Sequence, residues 1–545
     1  MREARRALLI ALGLAAVLSC GLGTWWVIPS REPRVERLRV TVEQHGADVA
    51  EIDRSIAAPL AAALSELEGS EVVIASSEGL ARAVVELPAD GTALSRVRDR
   101  VAAMTLPESA HPVIMQAPRG RAVRWLVRGE RAAERQRMLR LQVERVGHHE
   151  VRTCAREEEV HVVVDAERAA MLGAGAVAVA DALAREAVEL PGGHLEQGGS
   201  EYLIRGHGAL DSLASIGEVV IAIRESVLLR VADVATVTRA PAPDGCACFA
   251  GGEPCASGAV LAGEGRVREA LRGVEATWPA GQTLTWVDGA LLFSAPAGTS
   301  REALHRLGES LAEVAAGVGG VGEVAVELSP PPGEGGPPAD LALLLVFERG
   351  VDPSATLTEL RAAVTRVPGL LLHPPEGAAE IVITGDELAP LVEAARSVKG
   401  ALEGIARVVA FGAERAPEVR VEIDRARAAA LGVTTADLAR EVRIATTGEV
   451  AAHHREGARE YPVRVRTEAA LDALRVSTPS GSVPIRELAT IEHTLAPPAL
   501  YRCGVQRCVR LAIDGDPDAL ERAEERLPSI ELPPGVALRW RAPTR

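Results

Sequence analysis

The chain has 545 residues, a length that predicts several domains rather than one core. Apolar residues make up 47% of it and charged residues 25%, which is typical of folded proteins and excludes a disordered chain. The net charge of −15 argues against a nucleic-acid partner, because nucleic acids are bound by basic faces.

The first thirty residues contain the one membrane signal of the sequence. Three arginines precede an uncharged stretch, 7–30, which is long enough to cross a bilayer of about 30 Å. The basic flank stays in the cytoplasm, so we expect the bulk of the chain in the periplasm. The alternatives are an uncleaved signal anchor over 1–30 and a lipoprotein signal that ends at Cys20, with a lipid on that cysteine. The apolar run continues past Cys20, which favours the anchor.

Helix and strand patterns follow in the same order twice along the chain. The first set is a helix at 49–64, a strand at 81–87 and a helix at 93–104; the second is a helix at 300–316, a strand at 341–347 and a helix at 357–367. Each set ends at a proline, Pro107 or Pro368, which is a helix stop signal. The order predicts split βαβ sandwiches with helices on one face of a mostly antiparallel sheet.

A sequence repeat with a constant offset supports this duplication. The stretch 162–173 returns as 421–432, so that Asp165 and Asp424 hold equal places 259 positions apart. Each of these aspartates ends a strand pattern and precedes a helix rich in alanine and arginine. We therefore predict that both are helix N-caps. The same offset relates four further pairs: Gly198 and Gly457, Glu201 and Glu460, Tyr202 and Tyr461, Arg205 and Arg464.

Seven cysteines in an exported chain indicate disulfides. Cys503 and Cys508 flank a short turn, and Cys248 and Cys255 occupy the matching place in the first half. Cysteines that face each other across two strands can reach disulfide distances. Disulfides at both hairpins are the favoured interpretation. Metal binding by Cys246, Cys248 and Cys255 is the alternative.

The sequence contains no catalytic pattern. The run 317–322 has the glycine spacing of a dinucleotide-binding loop, but it follows a predicted helix and precedes a predicted strand. A phosphate turn has the opposite context, because it follows a strand and opens a helix. Zinc-protease, Walker and nucleophile-elbow patterns are absent from the sequence. We therefore expect no catalytic residues, no cofactor and no enzyme.

Several motifs together give the sequence a family resemblance. In the first half they are 165–173, 191–206 and 231–234; in the second half they are 296–300, 461–463, 479–481 and 533–536. In order and spacing they resemble the extracytoplasmic part of the resistance-nodulation-division (RND) efflux transporters, most closely the heavy-metal efflux branch. The resemblance extends from about residue 33 to about residue 540.

The resemblance implies an α+β fold of two tandem halves, 33–288 and 289–541, behind one N-terminal transmembrane helix at 1–30. Each half would hold two ferredoxin-like porter subdomains, which are βαβ sandwiches, and one inserted docking subdomain. The porter subdomains would be 33–118, 119–164 with 250–288, 289–375, and 376–424 with 501–541. The docking subdomains would be 165–249 and 425–500.

The resemblance also implies partners. In the family, three chains assemble, and the docking domains meet a periplasmic adaptor and an outer-membrane channel. We therefore expect a homotrimer or an association with full-length RND subunits. The family's proton relay lies in blocks of membrane helices after each half, but here 287–289 joins the halves directly and the sequence stops at Arg545. The chain is accordingly expected not to be proton-driven on its own.

The same comparison argues against a methionine metal site. Copper-type pumps bind metal through methionines between porter subdomains, because thioethers suit soft ions. The corresponding positions here read Leu292 and a residue near Pro338, and the third lies in a loop shortened around Pro375. The favoured function is a porter and docking component for efflux of metal ions or toxic compounds. The alternative is a tethered periplasmic protein that has lost transport and binds a ligand or an adaptor.

Overall fold

The structure is a computed structural model. It describes residues 35–44, 46–107, 109–116, 123–147, 151–187, 190–197, 200–206, 210–224, 227–243, 245–260, 264–278, 282–330, 339–375, 378–457, 459–478 and 481–543. The predicted anchor at 1–30, with Cys20, lies outside the described residues. Within the described ranges, no helix combines the length and the apolar character needed to cross a membrane.

Four compact units and two inserts make up the described chain. Unit 1 has strands Val35–Glu43, Glu71–Ser77, Leu80–Pro88 and His111–Gln116, with helices Val49–Ile52, Asp53–Ala57 (a π-helical turn), Ala58–Ser65 and Ala93–Ala102. Unit 2 has strands Val123–Arg128, Val151–Ala155, Ala247–Ala250, Glu253–Val260 and Thr283–Val287, with helices Ala132–Gly147 and Glu264–Glu275.

The second half repeats this arrangement. Unit 3 has strands Gly289–Ser294, Val321–Leu328, Leu341–Phe347 and Leu371–Leu372, with helices Arg301–Ala316 and Pro353–Val364. Unit 4 has strands Ala379–Gly385, Arg407–Phe411, Leu500–Cys503, Gln506–Asp514 and Ala537–Arg541, with helices Leu388–Ala401 and Pro517–Arg526 and the 3-10 turn Leu527–Ser529.

The inserts also correspond to each other. The first has strands Glu158–Val164, Leu190–Gln197, Ser200–Gly206, Val220–Arg224, Val227–Arg230 and Ala235–Pro241, with helices Ala166–Leu172, Ala176–Glu186, Leu213–Glu218 and Val231–Val234. The second has strands Ala416–Ile423, Glu449–Glu456, Arg459–Thr467, Arg475–Thr478, Gly481–Pro484 and Ala489–Ala496, with helices Arg425–Ala430 and Thr435–Thr446 and 3-10 turns Leu471–Ala473 and Ile485–Glu487.

The units of the two halves share their sheets. Units 1 and 4 form one nine-stranded sheet, because strand Glu71–Ser77 pairs antiparallel with Leu500–Cys503. Units 2 and 3 form a second nine-stranded sheet through Ala247–Ala250 and Val321–Leu328. Each join is made by a hairpin that follows an insert. The two halves of the chain therefore interleave rather than fold side by side.

These elements confirm the predicted α+β class. The strand predicted at 341–347 is Leu341–Phe347, and it is apolar along its length because it runs through the core of unit 3. The glycine-rich run 317–322 joins helix Arg301–Ala316 to strand Val321–Leu328, which confirms a helix-to-strand turn. Local sequence patterns were therefore sufficient to predict these elements.

The first strand of each insert lies where the sequence placed a porter strand. Strand Glu158–Val164 pairs with Ala235–Pro241, and Ala416–Ile423 pairs with Ala489–Ala496, so both strands belong to insert sheets. The sequence did not show this pairing, because only two residues separate Glu158 from the preceding strand. The subdomain limits, including those of the docking subdomains at 165–249 and 425–500, stay predictions.

Candidate functional site

A cavity of about 1150 Å³ lies where unit 2 meets both inserts. It is formed by the start of helix Ala132–Gly147, by the turn at 250–255, and by Tyr461 of the second insert. Its volume is of the size that holds small molecules. Charged residues of both signs line it: Arg128, Arg131, Arg137, Arg156 and Arg459 with Glu130, Glu134, Glu158 and Glu253.

Local contacts define the charge and shape of this wall. Arg459 forms an ion pair with Glu134 and donates a hydrogen bond to the Tyr461 hydroxyl at 2.8 Å. Arg131 has a left-handed backbone with φ of 64°, which is uncommon for a residue other than glycine. Strained residues of this kind concentrate at functional sites. The wall therefore suits a polar or charged molecule of either sign.

A second cavity of about 530 Å³ lies on the other side of the 247–260 hairpin, against unit 3. Phe249 stacks on His305 in its wall, with 4.5 Å between the ring centroids. Arg156, Pro241 and Pro254 line both cavities. The hairpin that joins units 2 and 3 therefore separates two neighbouring cavities.

Three disulfides surround these joins. Cys248 pairs with Cys255 and Cys503 with Cys508, each within the hairpin that links two units, with Cα–Cα distances of 5.0 and 5.7 Å. Cys154 pairs with Cys246 at a Cα–Cα distance of 5.1 Å. The sequence did not predict this third bond, because its cysteines lie 92 residues apart and have no counterpart in the repeat.

The cysteines considered as metal ligands are all engaged in these bonds. Cys246, Cys248 and Cys255 each contribute their sulfur to a disulfide, and a metal requires the free thiolate. Across the described part of the chain, no group of three or more histidine, cysteine, aspartate or glutamate side chains has a metal-binding arrangement.

The cleft between units 3 and 4 is closed by side chains of both. Asp514 of unit 4 accepts hydrogen bonds from Arg361 of unit 3 at 3.1 Å and from Arg407 at 2.5 Å. The His373 ring of unit 3 lies edge-on to the Phe411 ring of unit 4, with 5.4 Å between the ring centroids. Burial, with a smaller effect of Arg407, lowers the pKa of His373 to about 4.

Leu292, which corresponds to a metal-binding methionine of copper-type pumps, lies next to this closed cleft. The Leu292 carbonyl accepts a hydrogen bond from the His373 amide at 2.8 Å, and Ser294 Oγ lies 2.7 Å from His373 Nε2. Pro375 follows two residues later in the chain, and Pro338 lies outside the described residues. Leu292 therefore lies beside the buried His373 at the contact between units 3 and 4.

The two aspartates of the repeat occupy equivalent structural positions. Asp165 caps helix Ala166–Leu172 and accepts from the amides of Glu167 and Arg168 at 3.1 and 3.0 Å. Asp424 caps helix Arg425–Ala430 and accepts from the amide of Arg427 at 3.0 Å. Both contacts stabilise the start of a short helix.

A family model described as the AcrB/AcrD/AcrF family matches residues 6–269 and 375–545. The chain belongs to this family. Its members are RND transporters, which work as trimers with adaptor and outer-membrane partners, and membership indicates an inner-membrane location with the bulk in the periplasm.

Solved structures show the same fold. The chain resembles the crystal structure of a heavy metal efflux pump in crystal form II with a TM-score of 0.81 and 13% identity, covering 98% of this chain and 82% of that chain. Crystal form I gives a TM-score of 0.79 and 12% identity, covering 98% and 83%. No curated protein sequence matches the chain. At such identities the likeness concerns the fold.

Proposed function

We propose that this family member is the extracytoplasmic porter and docking component of an efflux system for metal ions or toxic compounds, and that it is not an enzyme. The cavity between unit 2 and the inserts carries the proposal. Its walls come from separate bodies, so a shift of one body against another changes its volume and can move a bound molecule. The likeness in fold to a heavy metal efflux pump supports this function.

The energy for transport would come from elsewhere. Strand Thr283–Val287 of unit 2 runs directly into Gly289–Ser294 of unit 3, where the resemblance predicts a block of membrane helices. We propose that the chain is not proton-driven on its own and associates with full-length RND subunits or assembles as a homotrimer. The segment 1–30 would be its single-pass anchor, and an adaptor and an outer-membrane channel would be its other partners.

Efflux measurements in a host without its own pumps test the proposal. The chain is expressed with and without a membrane-embedded RND partner, and retention of a dye or a metal salt is measured. Ala133→Trp places an indole in the wall of the larger cavity and is expected to reduce efflux. Ala362→Trp, on an exposed helix position of unit 3, is the matched control. Equal activity of both variants would overturn the role of the cavity.

A different outcome favours the alternative function. If the chain binds dye or metal and Ala133→Trp weakens the binding, but no partner restores efflux, the chain is a periplasmic binding protein that has lost transport. Ligand binding is measured on the purified full chain in detergent by fluorescence or calorimetry. Proper folding of both variants is checked by circular dichroism.

A further inference from the structure

Four cysteine side chains lie close together in the sheet that units 2 and 3 share. Cys248 is directly opposite Cys255 in the hairpin that joins the two units, and Cys154 is directly opposite Ser257 on the neighbouring strand. Residues paired across strands, and residues two positions apart along one strand, point to the same face of a sheet. Cys246 is bonded to Cys154 and packs against the same buried cluster. We call these residues the four-sulfur cluster: Cys154, Cys246, Cys248 and Cys255.

The spacing within the four-sulfur cluster suits one metal ion. The Cα–Cα distance is 5.1 Å between Cys154 and Cys246 and 5.0 Å between Cys248 and Cys255. A shift of two residues along a strand separates the two pairs, which is about 7 Å. Thiolates bind Zn²⁺ tetrahedrally at about 2.3 Å, so their sulfurs lie about 4 Å from one another. Cysteines at these spacings bring four sulfurs together by rotation about their Cα–Cβ bonds.

Both cavities reach the four-sulfur cluster. Cys246 and Cys248 line the cavity of about 530 Å³, and Cys255 lines the cavity of about 1150 Å³ on the other side of the hairpin. A metal site needs an entry path for the ion. The cavities supply this path, and they also admit a small reductant to the sulfurs.

Polar groups on the same face support a charged site. Ser257 donates a hydrogen bond to Glu327 of unit 3. Arg124 and Arg152 both lie opposite Ala259, two positions beyond Ser257. Burial raises the pKa of Glu327, and the two arginines are close enough to oppose this shift. A divalent ion with four thiolates has two negative charges in excess, and these arginines supply two positive charges nearby.

The matching hairpin of the second half has a single disulfide. Cys503 pairs with Cys508 there, and the buried residues that pack around Cys508 are Val382 and Tyr501. One disulfide is therefore sufficient to close this kind of hairpin. The second pair of cysteines in the first half is an addition that hairpin closure does not require.

We propose that the reduced form of this chain binds one thiophilic divalent ion, Zn²⁺ or Cd²⁺, through the four-sulfur cluster. In the oxidised chain the same sulfurs are bonded to one another and bind no metal, because only the thiolate is a ligand. A donor set of four thiolates selects such ions over Mg²⁺ and Ca²⁺, which prefer oxygen ligands. The inference goes beyond the proposed function and does not depend on it.

A dithiol converts the disulfide form into the metal-binding form. Each disulfide accepts two electrons and two protons from one dithiol, which itself becomes a disulfide, so two equivalents of dithiol yield four thiols. The ion then binds as the four thiols release four protons to the solvent. Binding is therefore expected to weaken as pH falls, and oxidation of the sulfurs releases the ion.

Cadmium binding tests the proposal. The full chain in detergent is reduced with excess dithiothreitol, freed of the reductant under nitrogen and titrated with cadmium chloride against a competing chelator. Native mass spectrometry is expected to show one Cd²⁺ per reduced chain and no chelator-resistant Cd²⁺ on the oxidised chain. Cys154→Ser with Cys246→Ser removes two ligands and should weaken binding more than about 100-fold, because loss of one outer partner of a ligand already costs about 10–100-fold.

The second half provides the matched control. Cys503→Ser with Cys508→Ser also removes one disulfide from a hairpin, but it leaves the four-sulfur cluster intact and should bind Cd²⁺ as the unchanged chain does. Circular dichroism of the oxidised variants checks their folding. Equal weakening in the two double variants would indicate chelation by an unfolded chain and would overturn the proposal.

Alkylation identifies the ligands. With Cd²⁺ bound to the reduced chain, peptide mapping should show the four-sulfur cluster protected from iodoacetamide, whereas Cys503 and Cys508 are modified. Equal protection of these two cysteines, a reduced chain without a stoichiometric Cd²⁺ complex, or equal binding by the oxidised chain would each refute the inference. None of these measurements involves efflux, so their failure would leave the proposed function in place.

Discussion

A buried carboxylate connects the first and last units of the chain. Asp53 has no exposed surface, and it accepts hydrogen bonds from Arg502 at 2.7 and 2.9 Å and from Arg507 at 3.0 Å. Asp53 opens the π-helical turn Asp53–Ala57 of unit 1, whereas both arginines lie on the hairpin of unit 4 that joins unit 4 to unit 1 in their shared sheet. Asp53→Asn keeps the shape of the side chain and removes its charge.

The structure sets the size of the expected effect. Removal of one partner from a buried ion pair costs about 3–5 kcal/mol, because the remaining charge stays uncompensated. The Arg502 side chain is 14% exposed, but Arg507 is one-third exposed and can reach water. We therefore expect Asp53→Asn to lower the free energy of unfolding by about 3 kcal/mol, the lower end of this range.

Urea unfolding measures this loss. Trp540 lies on strand Ala537–Arg541 of the same sheet and reports the transition through its fluorescence. With a slope of about 3 kcal/mol per molar urea, the midpoint should fall by about 1 M. Glu66→Gln is the control, because Glu66 pairs with Arg100 at 2.7 Å but is 64% exposed, and such pairs contribute at most about 1 kcal/mol. Equal shifts for the two variants would refute the argument.

Further predictions concern pH and packing. The pKa of His373 is lowered to about 4, so the unfolded chain binds a proton that the folded chain does not as pH falls from 6.5 to 4. Stability should therefore fall by up to about 3 kcal/mol across that window, and His373→Gln should abolish this component in urea titrations at pH 7.5 and 4.5. Gly258→Ala should cost about 1–3 kcal/mol, because a Cβ there meets the buried Trp125 ring. Gly273→Ala, which faces open space on an exposed helix position, should instead stabilise by about 0.5–1 kcal/mol, and a similar effect of both glycine variants would contradict the packing argument.

Local patterns were enough to predict much of the fold. The predicted strand at 341–347 has the same bounds as the observed strand Leu341–Phe347. The predicted helix at 300–316 differs from the observed helix Arg301–Ala316 by one residue at its start. The duplication followed from a constant sequence offset. Interleaving of the halves could not be predicted in this way, because the pairing of Glu71–Ser77 with Leu500–Cys503 joins residues far apart in the chain.

The candidate site was harder to predict than the fold. The cavity arginines, such as Arg131 and Arg137, belong to no motif that the sequence analysis singled out. Their convergence with Arg459 depends on how the second insert packs on the first. Asp53 gave no distinct signal in the sequence, since Glu51 and Arg54 beside it are charged as well.

The interleaved sheets have a consequence for biosynthesis. The strands of unit 1 are complete by His111–Gln116, but the strand Leu500–Cys503 that covers their edge comes almost 400 residues later. At roughly 5–20 residues per second, the ribosome needs tens of seconds to supply it. During that interval the edge of Glu71–Ser77 is an unpaired template for aggregation, so the nascent chain should depend on holding chaperones until its last fifty residues emerge.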